Sequence, residues 1–110
     1  MVELTAYPAA IRAFVEATNA ADPDAFVTAL THDAHLDDRG RTFTGRTGVA
    51  AWDRTDDIGV HAHFDLLSVT KTDEPDTHVA TLRVTGSGYN GTGPTTFRLR
   101  DGLIADLRIA

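Results

Sequence analysis

The hydrophobic pattern of this chain changes from helical to strand spacing at Ala34, and that change constrains the fold more than any other feature. Before residue 34 apolar residues recur at helical spacing, as in Ile11, Phe14 and Val15. From Ala34 most of the chain alternates apolar and polar residues, which is typical of strands with one buried face. Helices followed by strands predict an α+β fold with the helices on one face of an antiparallel sheet.

Three helices are predicted in the first half of the chain. Pro8 suits the first turn of a helix, where its missing N–H is harmless. Asp22 and Pro23 form a good start for a second, shorter helix, because aspartate is a favoured N-cap. Thr47 is predicted to cap a third short helix that carries Trp52.

The first hairpin is predicted at Arg39 and Gly40. A two-residue turn there would place Asp38 opposite Arg41, and Asp38 would share a strand face with Leu36. A longer turn would shift this register. Because a buried strand face rarely carries a carboxylate without a use, this hairpin contains the leading site candidate.

Asp38 is that candidate. Desolvation among apolar side chains such as Leu36 and Phe43 raises the pKa of a carboxyl and can make it a general base or acid. The competing interpretation is a salt bridge to Arg41, which would give Asp38 a structural role. The sequence leaves both open. We expect the neighbouring Asp37 to point outward into solvent.

Aromatic side chains are the candidates for binding a ligand. Phe14, Trp52 and Phe64 could line a pocket or simply fill the core. Tyr89 lies in a glycine-rich connection over residues 86–94, where it is either an exposed loop residue or part of a lid whose hydroxyl donates to a ligand. These glycines do not precede a helix, so we do not interpret them as a phosphate-binding loop.

Two histidines and an aspartate alternate on a strand predicted to begin near Val60. His61, His63 and Asp65 would then share one face, and imidazole and carboxylate groups can ligate zinc or iron. No second motif with metal spacing accompanies them, and an open cation site needs three converging ligands. We therefore expect no metal or other cofactor, and we interpret these side chains as facing solvent or a dimer interface.

Composition excludes several classes of protein. Sixteen acidic and ten basic residues give a net charge of -6, which disfavours nucleic acid and anionic membranes as partners. The absence of cysteine excludes disulfides and thiolate metal sites. The 110 residues suit a single domain over 1–110, and no apolar run approaches a membrane span. We expect a cytoplasmic protein.

With its elements in this order, the chain resembles the nuclear transport factor 2-like superfamily, and more narrowly its SnoaL-like and ketosteroid isomerase-like branch. The resemblance is carried by a helix, a hairpin, a second helix and the closing strands: Ile11–Asp22, Asp37–Gly40, Gly45-Arg46 with Val49 and Trp52, and Phe97–Ile109. It implies a cone in which a curved antiparallel sheet wraps the first helix. It also implies an apolar pocket for a small apolar molecule and a homodimer through the outer sheet face.

The resemblance also bears on single residues. The general base of ketosteroid isomerases is an aspartate in the strand after the second helix, and Asp38 stands at the matching position. Their two oxyanion donors, a tyrosine and a protonated aspartate, do not carry over, because Phe14 and Thr95 stand near those positions. Loss of one such donor costs about 10²–10³ in rate, which disfavours steroid isomerisation.

A late-strand acid, which SnoaL-type cyclases use, is also missing, since residues 77–100 contain no Asp or Glu. Two functions follow as alternatives. The first is an isomerase-, cyclase- or hydrolase-type enzyme in which Asp38 moves a proton on a small apolar molecule. The second is a non-catalytic module of the same fold that binds a ligand or dimerises.

Overall fold

Three α-helices and six β-strands build the part of the chain that the computed structural model describes, residues 7–109. The helices are α1 (Ala9–Asn19), α2 (Pro23–Thr28) and α3 (Gly45–Asp56). The strands are β1 (Leu30–Asp38), β2 (Arg41–Thr44), β3 (His63–Lys71), β4 (Thr77–Thr85), β5 (Gly91–Arg100) and β6 (Leu103–Ile109). Within this part, no helix has the length and apolar character needed to cross a membrane.

All six strands belong to one sheet in the order β2-β1-β6-β5-β4-β3. The pairs are antiparallel except β1 with β6, which run parallel. The predicted α+β class is confirmed, whereas the prediction of a wholly antiparallel sheet is wrong for this pair. The β5–β6 hairpin sets the direction of β6, and α3 separates β1 from the later strands. The alternation of apolar and polar residues within a strand therefore does not show whether β1 and β6 run parallel or antiparallel.

The inner face of the sheet carries the core. Leu36 of β1 lies opposite Leu107 of β6, which lies opposite Phe97 of β5, and all three are buried. Register shifts between β1 and β6, between β3 and β4, and between β5 and β6 interrupt the ladders. Such bulges increase local twist and let a sheet curve around a helix layer.

Phe14 of α1 lies at the centre of this core. Its ring centroid is 5.4 Å from the centroids of Phe26, Phe64 and Phe97. Phe26 in turn lies 6.3 Å from Trp52 of α3. Aromatic pairs at such separations add to the free energy of area burial, so this cluster joins all three helices to the sheet.

The predicted register of the first hairpin is confirmed. Asp38 pairs with Arg41, and the turn between them consists of Arg39 at φ 54° and Gly40 at φ 93°. Two successive residues with positive φ make the tight turn that matches the twist of antiparallel strands. Because the turn has two residues, Asp38 keeps the inner face that its spacing from Leu36 predicts.

Three element boundaries differ from the sequence predictions. Helix α3 begins at Gly45, so Thr47 lies inside its first turn and does not cap it. One turn of 3₁₀ helix ends at Val60, and β3 begins only at His63. The glycine-rich connection is shorter than predicted, because Gly91 already begins β5. The left-handed backbone of His61 interrupts the extended chain before β3, and Gly91 already pairs with Val84 of β4.

Truncation of the Phe26 side chain should destabilise the folded protein. Its side chain is fully buried between Phe14 and Trp52, so Phe26→Ala should lower the free energy of unfolding by about 3–5 kcal/mol. Urea denaturation followed by circular dichroism measures the difference. Leu67→Ala is the control, since Leu67 is 44% exposed. Equal losses for the two variants would contradict the assignment of Phe26 to the core.

Candidate functional site

A cavity of about 420 Å³ opens between the inner face of the sheet and the helices. Its wall includes all five residues that the sequence singled out: Phe14, Asp38, Trp52, Phe64 and Tyr89. Elements far apart in the chain therefore bring these side chains to one place. Their roles in catalysis and binding stay predictions.

The sequence left two environments open for Asp38, a place among apolar side chains and a salt bridge to Arg41, and the structure shows features of both. It lines the cavity, and its side chain is 15% exposed. Its Oδ2 atom also accepts hydrogen bonds from Arg41 at 2.5 Å and from the indole Nε1 of Trp52 at 3.1 Å. Since both contacts use Oδ2, neither of them occupies Oδ1. The carboxylate is thus held in one orientation by a cation and an aromatic donor.

Arg41 joins Asp38 to a second carboxylate at the cavity. Its guanidinium lies 2.9 Å from Oδ1 of Asp56, and the hydrogen bonds that it donates to Asp56 and Asp38 raise the pKa of Arg41 above its usual range. Burial alone would raise the pKa of Asp56, but hydrogen bonds from Thr55 and Arg41 outweigh burial and lower it. Asp56 is therefore anionic at neutral pH.

A further acid in the cavity wall was missed by the sequence reasoning. Asp57 follows the end of α3 and is 1% exposed, and its Oδ2 accepts a hydrogen bond from Thr18 of α1 at 2.8 Å. Burial raises the pKa of Asp57 to about 8, helped by a hydrogen bond with Asp53 and by the charge of that carboxyl. At pH 7 Asp57 is therefore mostly neutral.

The spacing along α3 contains a signal for this acid. Val49, Trp52 and Asp53 are the buried residues of the helix, and they recur at the i, i+3 and i+4 positions of one face. Asp57 lies four residues after Asp53, on the continuation of that face. Thr18 lies four residues after Phe14 among the buried residues of α1, so a buried polar partner was available.

Tyr89 lies at the opening of the cavity and is 52% exposed. The guanidinium carbon of Arg39 lies 4.4 Å from its ring centroid, which joins the β4–β5 turn to the first hairpin. Asn90 ties this turn together, because its amide both donates to and accepts from the backbone of Gly86. A Cβ at Gly91 would lie 2.4 Å from the Tyr89 hydroxyl, so this glycine makes room for the ring.

The predicted shared face of His61, His63 and Asp65 is wrong for the first of them. His61 lies outside β3 with φ 56°, just after the 3₁₀ turn. His63 contacts Asp65 at 3.4 Å, and Asp65 also accepts a hydrogen bond from Arg83. Over residues 7–109, no group of three or more His, Cys, Asp or Glu side chains could hold a metal ion.

Solved structures share this fold at low sequence identity. A protein of Sinorhizobium meliloti, provisionally named a polyketide cyclase, matches with a TM-score of 0.85 and 22% identity over 99% of this chain and 100% of its own. Mycobacterium tuberculosis Rv0760c, in complex with estradiol-17beta-hemisuccinate, gives 0.78 and 18% over 90% and 88%. Delta 5-3-ketosteroid isomerase from Mycobacterium sp. gives 0.76 and 19% over 91% and 88%. The predicted cone-shaped fold is confirmed.

The sequence itself also matches a defined family. No curated protein matches the chain. The SnoaL-like domain matches residues 11–107, from α1 to β6. This match confirms the resemblance found in the sequence. The chain belongs to the SnoaL-like domain family.

Proposed function

We propose that the protein binds a small, largely apolar molecule in its cavity and that Asp38 exchanges a proton with it. One observation carries the proposal. The Asp38 carboxylate, fixed by Arg41, lies in a wall that Phe14, Trp52 and Phe64 make largely apolar. A general base needs such a fixed position within reach of its substrate.

The dimensions of the site support a small ligand. A cavity of about 420 Å³ falls within the range of about 300–1,000 Å³ that is usual for small-molecule sites. Apolar side chains from two layers, such as Phe14 of α1 and Leu82 and Val84 of β4, would contact the ligand. Among the solved relatives, one is a ketosteroid isomerase and another is in complex with a steroid derivative.

The chemistry that suits this arrangement is proton transfer on the bound molecule, as in isomerase-, cyclase- or hydrolase-type reactions. A non-catalytic binding module is the second candidate. It is favoured by Phe14 and Thr95, which line the cavity and which the family resemblance puts near the positions of the tyrosine and the aspartate of ketosteroid isomerases. The two candidates share the ligand site and differ in whether Asp38 acts on the ligand.

Obstruction of the cavity should weaken binding. Trp52 is the single tryptophan, so titration with tetralin should change its fluorescence. Val84→Phe should weaken the affinity about tenfold, which corresponds to about 1.4 kcal/mol, because the larger side chain fills part of the cavity. Val79→Phe is the matched control, since Val79 lies on the opposite face of the same strand. Equal affinities for the two variants, or no binding by the unaltered protein, would contradict the proposal.

Replacement of the Asp38 carboxyl by an amide should slow proton transfer. The activated CH₂ group of 2-tetralone exchanges its protons for deuterium in D₂O, and proton NMR follows the rate. Asp38→Asn keeps an acceptor oxygen for Trp52 but should slow the exchange by about 10²–10⁴-fold. Asp37→Asn is the control, because Asp37 lies on the other face of β1. An unchanged rate in Asp38→Asn would exclude Asp38 as the base and leave the binding module.

A homodimer through the outer face of the sheet is also part of this proposal. Arg98 pairs with Asp106 there, and Arg108 lies opposite Asp37. Over residues 7–109 few large hydrophobic side chains are exposed. The contacts between two copies would therefore be mainly between oppositely charged side chains. Light scattering at low salt should report about twice the chain mass of 11.8 kDa. A mass of one chain at every salt concentration would contradict the dimer.

A further inference from the structure

We infer that Gly93 determines how long a ligand the cavity accepts, because its missing side chain leaves space in a part of the cavity that is distant from Asp38. Gly93 is then a specificity-determining residue, and the ligand that it selects is an elongated apolar molecule, such as one with three fused rings. This inference rests on the proposed function, because it needs a ligand in the cavity. It goes further by assigning a subsite and a ligand length.

The backbone of β5 does not require a glycine at this position. The φ angle of Gly93 lies outside the left-handed region that favours glycine. The strand also pairs with β4 without a register shift, so Gly93 does not mark a bulge. A glycine inside a regular strand weakens it, and it often marks a place where another molecule approaches the backbone closely. Gly93 therefore calls for an explanation outside the strand itself.

The space beside Gly93 is open. A Cβ added there would have no heavy atom of the described residues within 4 Å. Gly88, the other glycine of the described cavity wall, differs, because its Cβ would lie 3.0 Å from Cγ2 of Val60. Packing therefore accounts for Gly88, whereas the absent side chain of Gly93 leaves volume unfilled.

This unfilled volume belongs to the cavity and has an apolar border. Gly93 lies opposite Leu82 of β4, and Thr95 follows two residues later on the same face of β5. All three residues line the cavity. Val84, two residues after Leu82, pairs with Phe64 of β3, and both of these side chains also line the cavity. The space at Gly93 thus suits an apolar part of a ligand.

Asp38 lies well away from this space. It pairs with Ile109, which pairs with Thr95, and Gly93 stands two residues before Thr95. Two strand spacings and two residues along a strand separate the backbones of Asp38 and Gly93 by about 12 Å. A single ring held against Asp38 therefore leaves the space at Gly93 empty, whereas an elongated molecule extends from one to the other.

The test compares 1-indanone with 9-fluorenone, two uncharged ketones that differ by one fused benzene ring. Trp52 lines the cavity, so its fluorescence measures both affinities. Gly93→Val should weaken the binding of 9-fluorenone about tenfold, because the new side chain occupies the space that the third ring needs. The affinity for 1-indanone should stay nearly unchanged, since the smaller molecule fits in the remaining cavity. Gly93→Ala should give an intermediate loss for 9-fluorenone.

Thr92→Val is the matched control. Thr92 precedes Gly93, is exposed on the opposite face of β5 and pairs with Arg83, so its side chain lies outside the cavity. Both affinities should stay unchanged in this variant. Valine is favourable in strands and the position of Gly93 has room for it. Urea denaturation should therefore show that Gly93→Val is at least as stable as the unaltered protein.

The outcomes separate the two proposals. Equal losses for the two ketones, no loss for either, or a Gly93→Val variant that fails to fold would overturn the role of Gly93. Binding of 1-indanone but not of 9-fluorenone by the unaltered protein would also overturn it, while the cavity would remain a binding site. Failure of the unaltered protein to bind either ketone would refute the proposed function itself.

Discussion

The packing of Phe14 against three other aromatic rings is the contact on which the rest of the structure depends. Its ring touches side chains from α2, β3 and β5, so it fixes the first helix against the sheet. It also lines the cavity. Phe14 therefore marks the boundary at which the filled core ends, and the inner face of the sheet continues beyond it as a cavity wall.

The acids around this boundary illustrate two ways to accommodate a carboxyl near an apolar interior. Asp38 and Asp56 share the guanidinium of Arg41, which compensates their charge at a partly exposed position. Asp53 and Asp57 have no such cation between them, and burial raises both pKa values. A proton shared by Asp53 and Asp57 would reduce their mutual repulsion, as the guanidinium of Arg41 does for Asp38 and Asp56. A buried pair of like charges is unfavourable.

The sequence predicted local features well where short-range chemistry determines them. The register that places Asp38 opposite Arg41 follows from the length of one turn. Likewise, the start of α2 follows from Asp22, whose side chain accepts a hydrogen bond from the backbone of Ala25. The parallel pairing of β1 with β6 could not be predicted, because it depends on how distant strands meet. The left-handed backbone at His61 was missed because alternation continues through it.

Asp57 was missed for a different reason, which bears on how sites in this fold arise. It lies in a polar run in which exposed and buried aspartates look alike, and only the fold brings Asp57 to the hydroxyl of Thr18 in the interior. The positions of Phe14 and Thr95 argue against the donors of ketosteroid isomerases, but they argue only against those two positions. A cone lined by several elements can place a polar group on any of them, and the residue that follows α3 contributes a buried acid to this cavity. The chemistry of such a site thus depends on which element carries the polar group, while the fold determines only where the cavity lies.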